Sequence, residues 1–501
     1  MRAGLLRLAG IALLLSAPAL ARDFRIGIQD YPDLLDPHRS RTFVGEIVLA
    51  SLCDSLVETG PDLMIRPELA TAWSWSDGDT RLTLRLRPGV TFHDGTPLTA
   101  AAAKANLDRA RTMPDSLGRS ELQSVKSVDV VDDMTIALTL DHPDATLLPK
   151  LAGRTGMMMS PAAFTPGAEV ARNPICSGPY KFVDREQSNR IVLEKFAAYR
   201  DAADYHFDRV IFLTIPDSTI RLATLQSGDL DMLERLSPSD IPAVESDSAL
   251  QMAKVTSVGY QGLTINVGRG KAAEGPLGRD KRVRQALQLA IDRDVINQVV
   301  GAGTLVPTRQ PFGPASPYRQ ADLTVPGRDP EQAHRLLKAA GYNRVSFELT
   351  FVNATPWQQV VQLIQSMAVE AGFDVVLRPV EFAAMIDKAQ SGDFQVVQIG
   401  WSGRYDPDGN IHPFVACGAG LNYSGFCDPA VDKVLNDART ITDPAARKAL
   451  YDQAQAVLQD QMPMIYLFHQ PWIYALAKAV KGFAPTPDGL IRLKGVSIEG
   501  D

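Results

Sequence analysis

From residue 346 to residue 400 the hydrophobic period switches repeatedly between that of a strand and that of a helix. Residues 346–352 read as a strand, 357–371 as an amphipathic helix and 373–380 as a second strand. Residues 381–391 are again helical, and 394–399 make a third strand. A β-α-β-α-β run buries its apolar faces only in a layered α/β sheet with helices packed on it, the doubly wound unit. Ligands of such sheets bind beyond the carboxyl ends of the strands. Those ends are Asn353, Glu381 and the segment WSGRYDPDGN over 401–410.

The chain has 501 residues, about three modal domains, so more than one core is expected. Its first half is rich in strand patterns. Residues 81–87 alternate strictly, as a sheet with one wet face does, and 136–140, 191–195 and 210–215 look similar. A helix capped by Thr99 runs through Ala110. Later, Val283, Leu287, Ile291, Val295 and Val299 recur every four residues and predict one long helix. Asp329-Pro330, Asp428-Pro429 and Asp443-Pro444 each start a helix: Asp caps free N–H groups, and Pro at the first helical position has none to lose. Gly341 closes the first of these three.

Residues 1–21 have the plan of an export signal: Arg2 and Arg7, an apolar stretch around 11–15, and Ala19-Leu20-Ala21 as a small-x-small cleavage site. The apolar run holds only about a dozen residues, against roughly 20 for a membrane span. Removing Arg2 and Arg7 takes the formal charge from −7 to −9. That charge is spread without blocks, which excludes a nucleic-acid-binding face. In an oxidising compartment the four cysteines can pair. Cys417 and Cys427 bracket a Gly/Asn/Ser-rich stretch, so local closure favours that pair and leaves Cys53 with Cys176. The other two connectivities remain open.

Catalytic signatures are absent: the chain has no GxSxG, no HExxH, no GxxxxGK[ST] and no pair of histidines at helical spacing. His93 precedes a turn and reads as structural. Asp406, Asp408 and Asn410 imitate the start of a calcium loop, but Ile411 stands where the loop needs Gly and Cys417 where it needs the closing Glu. No metal site and no cofactor are expected. Tyr260, Trp357 and Trp401 are equally readable as core or as pocket wall.

Five stretches together resemble the family 5 extracellular solute-binding proteins of ABC importers, the dipeptide, oligopeptide, nickel and glutathione receptor group. They are LDPH from Leu35, AW…SDG from Ala72 running into RPGVTFHDG from Arg87, and CSGPYKF from Cys176. RVRQAL from Arg282 with AIDR from Ala290 follows, then GWSG…DPD from Gly400. Their order spans nearly the whole chain after residue 21. The resemblance implies a periplasmic, type II-like binding-protein clamp with an additional subdomain in lobe I. Lobe I takes 22–264 completed by 476–501, lobe II takes 265–475, and the hinge lies near 263–266 and 468–472. It implies a monomer that captures a small-molecule or peptide solute, performs no chemistry, and hands the solute to a permease powered by an ATPase subunit. Nucleic acid is not a partner.

The sequence departs from dipeptide receptors where their ligand is anchored. The Asp that pairs with the peptide amine falls at Gly403 or Arg404, and the Arg that holds the carboxylate falls near 351–353, where none stands. Arg154 and Arg404 instead offer guanidinium groups suited to carboxylate or phosphate. The candidate ligand residues are Tyr260, Arg154, Asn353, Trp357, Trp401, Ser402, Arg404 and Asp406. Peptides are the expected cargo. A glutathione-like or opine-like anion, a metal chelate or haem on the same scaffold is the alternative, and a secreted chaperone or enzyme a more distant one.

Overall fold

The computed structural model describes residues 22–164 and 169–499; the expected signal segment lies outside them. The architecture is mixed α/β and two-lobed, built on two large sheets. The first has seven strands in the order Leu250–Thr256, Pro471–Ala477, Met232–Leu233, Asp23–Ile28, Arg209–Thr214, Arg190–Lys195 and Tyr180–Glu186. Asp23–Ile28 runs parallel to both of its neighbours, and the other pairings are antiparallel. Its core includes Phe24, Ile26, Val48, Leu193, Phe212 and Tyr474.

The second sheet has six strands: Val306–Pro307, Met464–His469, Tyr260–Ile265, Val396–Trp401, Val345–Val352 and Phe373–Val380. Here the alternation that opened the sequence reading is realised. Val345–Val352 pairs in parallel with Phe373–Val380 and with Val396–Trp401, and the helices Thr355–Glu370 and Phe382–Ser391 connect them. The parallel character stops there, because Tyr260–Ile265 runs antiparallel to Val396–Trp401 and to Met464–His469.

A third sheet, Ala70–Ser76, Arg81–Leu86, Thr135–Leu140 and Val125–Asp132, is antiparallel and carries the helix Ala100–Thr112 over its own core. It forms the additional subdomain of the first lobe. Arg81–Leu86 buries Leu82, Leu84 and Leu86, as its alternation predicts. The Thr99 hydroxyl accepts from Ala102 N, and Asp329, Asp428 and Asp443 cap their helices in the same way. Gly341 has φ +89, the left-handed conformation that ends a helix.

The long helix over 283–299 is not formed. The chain makes Lys281–Ala290 and then Arg293–Val300, because Asp292 turns out of the first helix and caps Asp294 N and Val295 N of the second. The apolar face is therefore not continuous: Val295 is 40% exposed and Val299 62% exposed, while Ile296 is buried.

Among the described residues the chain passes between the two large sheets at 257–259 and again at Gln470. The expected crossing near 263–266 falls within the strand Tyr260–Ile265 and its end, whereas 468–472 brackets Gln470. Both disulfides form with the pairings that local closure favours, Cys53–Cys176 and Cys417–Cys427. His93 stands beside the first. Its Nδ1 accepts from Cys176 N (3.2 Å) and its Nε2 donates to Gly178 O (3.1 Å). Burial pushes this imidazole down to about 4, so it is neutral and structural at pH 7.

The two bridges close loops of very different length, with separations of 123 and 10 residues. On chain entropy, Cys53→Ser with Cys176→Ser should cost about 5 kcal/mol, and the Cys417/Cys427 pair about 3 kcal/mol. Denaturant unfolding of the two double variants should reproduce that order. The reverse order would contradict it.

Candidate functional site

Strand polarity decides which edges of the two sheets face the crossings. In the six-stranded sheet, Tyr260 begins its strand and pairs with Trp401, the last residue of the neighbouring strand. Val352 and Val380 end their strands on the same side, since these run parallel to Val396–Trp401. In the seven-stranded sheet, Asp23–Ile28, Met232–Leu233 and Leu250–Thr256 all end toward the crossings, and Pro471–Ala477 begins there. The carboxyl ends of both sheets thus border one joint, which makes the space between them the candidate binding cleft.

The joint is hydrogen-bonded to itself. Ser257 N donates to Gln470 O (3.0 Å). The Nδ1–H of His469 donates to the carbonyl of Gly259 (2.6 Å). Burial pushes this imidazole down to about 4, so it stays neutral. Gln398 Nε2 donates to Gln261 Oε1 (3.0 Å), and Gln261 Nε2 to Gln470 Oε1 (3.4 Å). Gly259 must lack a side chain, because a Cβ there would meet the Trp401 carbonyl oxygen at 2.2 Å.

On the second lobe the mouth is organised by Asn410, which is buried. Its Oδ1 accepts from Trp401 Nε1 (3.0 Å) and from Arg404 N (2.7 Å), and its Nδ2 donates to Arg404 O (2.7 Å). The Arg404 guanidinium lies 4.5 Å from the Trp401 ring centroid, a cation–π stack. Its Nη1 donates to Gly403 O, and no carboxylate among the described residues pairs with it. Ser402 and Arg404 are exposed and Trp401 is half-buried.

The remaining expected residues are placed differently. Tyr260 is 1% exposed and lies beneath the mouth: its hydroxyl donates to Asn410 O (3.4 Å), its ring packs edge-on against Tyr466 and Phe414, and burial raises its pKa well above normal. Asp406 accepts two bonds from Arg447 (2.8 and 3.0 Å), whose own charge is held by that carboxylate despite burial. Asp408 lies 3.4 Å from Arg439, and burial pushes its carboxyl up. The two carboxylates that imitate a calcium loop are therefore each faced by a guanidinium. Asn353 is exposed at the neighbouring strand end, while Trp357 packs against the lobe II core. Arg154 belongs to the other lobe. It donates to Ser40 O (2.7 Å) and Thr42 O (3.4 Å) and sits 3.7 Å from Glu46, fastening the loop that enters the helix Phe43–Leu52.

Sequence reasoning missed the edge contributed by lobe I. Arg235 follows the strand Met232–Leu233, and its guanidinium lies 5.2 Å from the rings of both Phe43 and Trp472, which are stacked on each other at 4.9 Å. A two-residue strand carries no readable period, so nothing in the pattern marked its end as a strand end. His469 was missed because an isolated histidine in an apolar strand looks like any other core residue.

Asn410→Ala should remove the acceptor of Trp401 Nε1 and of Arg404 N, lowering stability by about 1–3 kcal/mol. Asn410→Asp keeps the acceptors but sets a buried carboxylate oxygen against Arg404 O in place of the Nδ2 donor, so it should be destabilised as well. Thermal denaturation of both variants checks this; an alanine variant as stable as the wild type would mean that Asn410 does not organise the mouth.

The arrangement has known counterparts. A family model described as bacterial extracellular solute-binding proteins, family 5 Middle, matches residues 64–422. The glutathione-binding protein of Pectobacterium atrosepticum is 28% identical over 502 residues, covering 97% of this chain and 96% of its own. Among solved structures, the PBP AgaA of A. tumefaciens R10 in complex with agropinic acid superposes with a TM-score of 0.79 at 26% identity, covering 96% of this chain and 99% of its own. The dipeptide binding protein of a Pseudoalteromonas species in complex with Met-Leu does so with a TM-score of 0.82 at 23% identity, covering 95% of this chain and 100% of its own.

Proposed function

The chain belongs to the family 5 bacterial extracellular solute-binding proteins, and from that premise we propose that it is the periplasmic receptor for a peptide-like solute that carries negative charge. Proteins of this family bind small-molecule or peptide ligands for ABC importers and work with permease partners; the relatives are binding proteins. Its partner is then a permease with its ATPase subunit, and the receptor itself acts as a monomer. The export pattern of residues 1–21 supports a periplasmic location, as do two disulfides, which persist in oxidising compartments. We place the hinge at 257–259 and Gln470, where the chain changes sheets. Rotation about those segments would bring the strand ends of the two lobes together around the solute.

The observation that carries the charge preference is the state of the carboxylates and guanidiniums at the mouth. Asp406 is neutralised by Arg447, so it is not free to receive a peptide amine. Arg404 stands at the strand end on the Trp401 ring without an acidic partner among the described residues. Its fork matches a carboxylate in two parallel hydrogen bonds. Arg154, by contrast, is committed to the 40–42 backbone, and we assign it to holding that loop rather than to the solute. The name of the Pectobacterium relative makes glutathione the first solute to try, and the agropinic acid bound by AgaA makes an opine-like acid the second.

Calorimetry with glutathione, Met-Leu, a lysine-containing dipeptide and a glutamate-containing dipeptide tests the reading. Glutathione and the acidic peptide should bind more tightly than the neutral and cationic ones. Arg404→Ala should weaken them by roughly 10- to 150-fold, and Arg404→Lys should recover part of the loss. Tight binding of Met-Leu together with a silent Arg404→Ala would overturn the preference for an anion.

A further inference from the structure

We propose that Arg235 is a second anion anchor, on lobe I, and that the solute carries two carboxylates, one for Arg235 and one for Arg404. The inference rests on the anionic, peptide-like reading above and names the substrate class more narrowly.

Position is the first argument. Arg235 stands just past the carboxyl end of Met232–Leu233, on the edge of the seven-stranded sheet where Pro471–Ala477 begins. That edge borders the crossings, as does the edge of the other sheet that carries Trp401 and Arg404. The two guanidiniums therefore belong to opposing walls of one cleft.

Backbone and aromatic contacts hold Arg235 there. Its φ is +53, a left-handed conformation that a residue with a side chain rarely adopts. Such conformations persist where surrounding contacts impose them, and they cluster at ligand-binding positions. The contacts here are Arg221 Nη2 donating to Arg235 O (3.2 Å) and Leu236 N donating to Ile473 O (2.8 Å). The side chain is then laid against Phe43 and Trp472, whose rings are stacked within 4° of parallel. An aromatic face fixes the plane of a guanidinium and leaves its N–H edge free for a planar partner.

The Nη edge of Arg235 is uncommitted among the described residues, while its Nε faces the Glu234 carboxylate. Arg235 Nε lies 3.2 Å from Glu234 Oε2 but has no hydrogen-bond partner, and Nη1 and Nη2 donate to nothing among the described residues. Glu234 is 2% exposed and also accepts from Gln29 N. The buried Arg221 stands nearby as well, so two guanidiniums face the one Glu234 carboxylate. The Arg235 side chain is only 30% exposed, too little for water to serve all of its donors at no cost. Three other arginines of the same lobe are spent: Arg109 on Asp36, Arg154 on Ser40 O, and Arg185 on Tyr31 and Pro32 O.

Two guanidiniums on opposing walls, that of Arg235 only partly offset by Glu234, also bear on closure. Bringing the walls together without a solute sets like charge against like charge, whereas a dicarboxylate between them replaces that repulsion with two charge-assisted contacts. Differential affinity of this kind is what lets a solute shift the population to the closed form.

Calorimetry with glutathione, which has two carboxylates, and with its glycyl monoethyl ester, which has one, tests the proposal on the wild type, Arg235→Gln, Arg235→Lys and Arg404→Gln. Each glutamine variant should weaken glutathione binding by roughly 10- to 100-fold, with Arg235→Lys intermediate. Esterification should weaken wild-type binding by a similar factor. It should have no further effect in the one glutamine variant that has lost the partner of that carboxylate, while still weakening the other. Circular dichroism should find Arg235→Gln folded; Arg235→Lys, which keeps the charge and much of the packing, supplies the comparison if it is not. If glutathione binds the wild type and both Arg235 variants within about twofold, this inference falls and the anionic reading stands. If esterification costs the same in every protein, it falls likewise. If neither glutathione nor a glutamate-containing dipeptide binds the wild type, both fall together.

Discussion

The molecule depends on one joint, where the chain passes between two sheets twice and the two passages are tied to each other. Ser257 bonds to Gln470, and His469 bonds to Gly259. The imidazole is buried and neutral, so the tie does not carry a charge into an apolar interior. Gly259 lies against the carbonyl of Trp401, which places the joint directly behind the mouth of the second lobe. Strand polarity does the rest, since both sheets turn carboxyl ends toward the joint. The cleft is located by connectivity before any side chain is considered.

Charge is disposed on those edges in a definite way. The acidic residues of the 401–410 segment are faced by Arg447 and Arg439, so they stabilise the segment rather than attract a cation. Aromatic rings instead carry arginines toward the cleft: Trp401 under Arg404, and the Phe43–Trp472 pair under Arg235. Stacking settles the orientation of each guanidinium in advance, so less freedom would be lost on binding the planar carboxylate proposed above.

Much of this was legible in the sequence, for physical reasons that differ from element to element. The 346–400 alternation marked the parallel part of the second sheet, because period 2 and period 3.6 cannot both be satisfied by one structure. The Asp-Pro starts marked three helices, because their caps are local chemistry. The 283–299 helix was misread because a spacing of four residues describes a stripe without saying whether the backbone continues. Asp292, which breaks it, acts through a cap in the middle of that stripe. The position of 260–265 depends on pairing with strands more than 130 residues away, which no local pattern encodes. Arg404 was nominated because a strand end announced it, and it does lie at the end of Val396–Trp401, stacked on Trp401. Tyr260 was nominated from the same neighbourhood, and only the packing against Tyr466 and Phe414 shows it to be a floor under the mouth. Arg235 was invisible because its strand is two residues long.

The central claim is that a solute closes two lobes about the joint at 257–259 and Gln470. Small-angle scattering of the purified protein, titrated with glutathione over the range in which calorimetry detects binding, measures this directly. The radius of gyration should fall in proportion to occupancy, because rotation about the joint brings the two sheets closer. Saturating binding with an unchanged radius of gyration would contradict it.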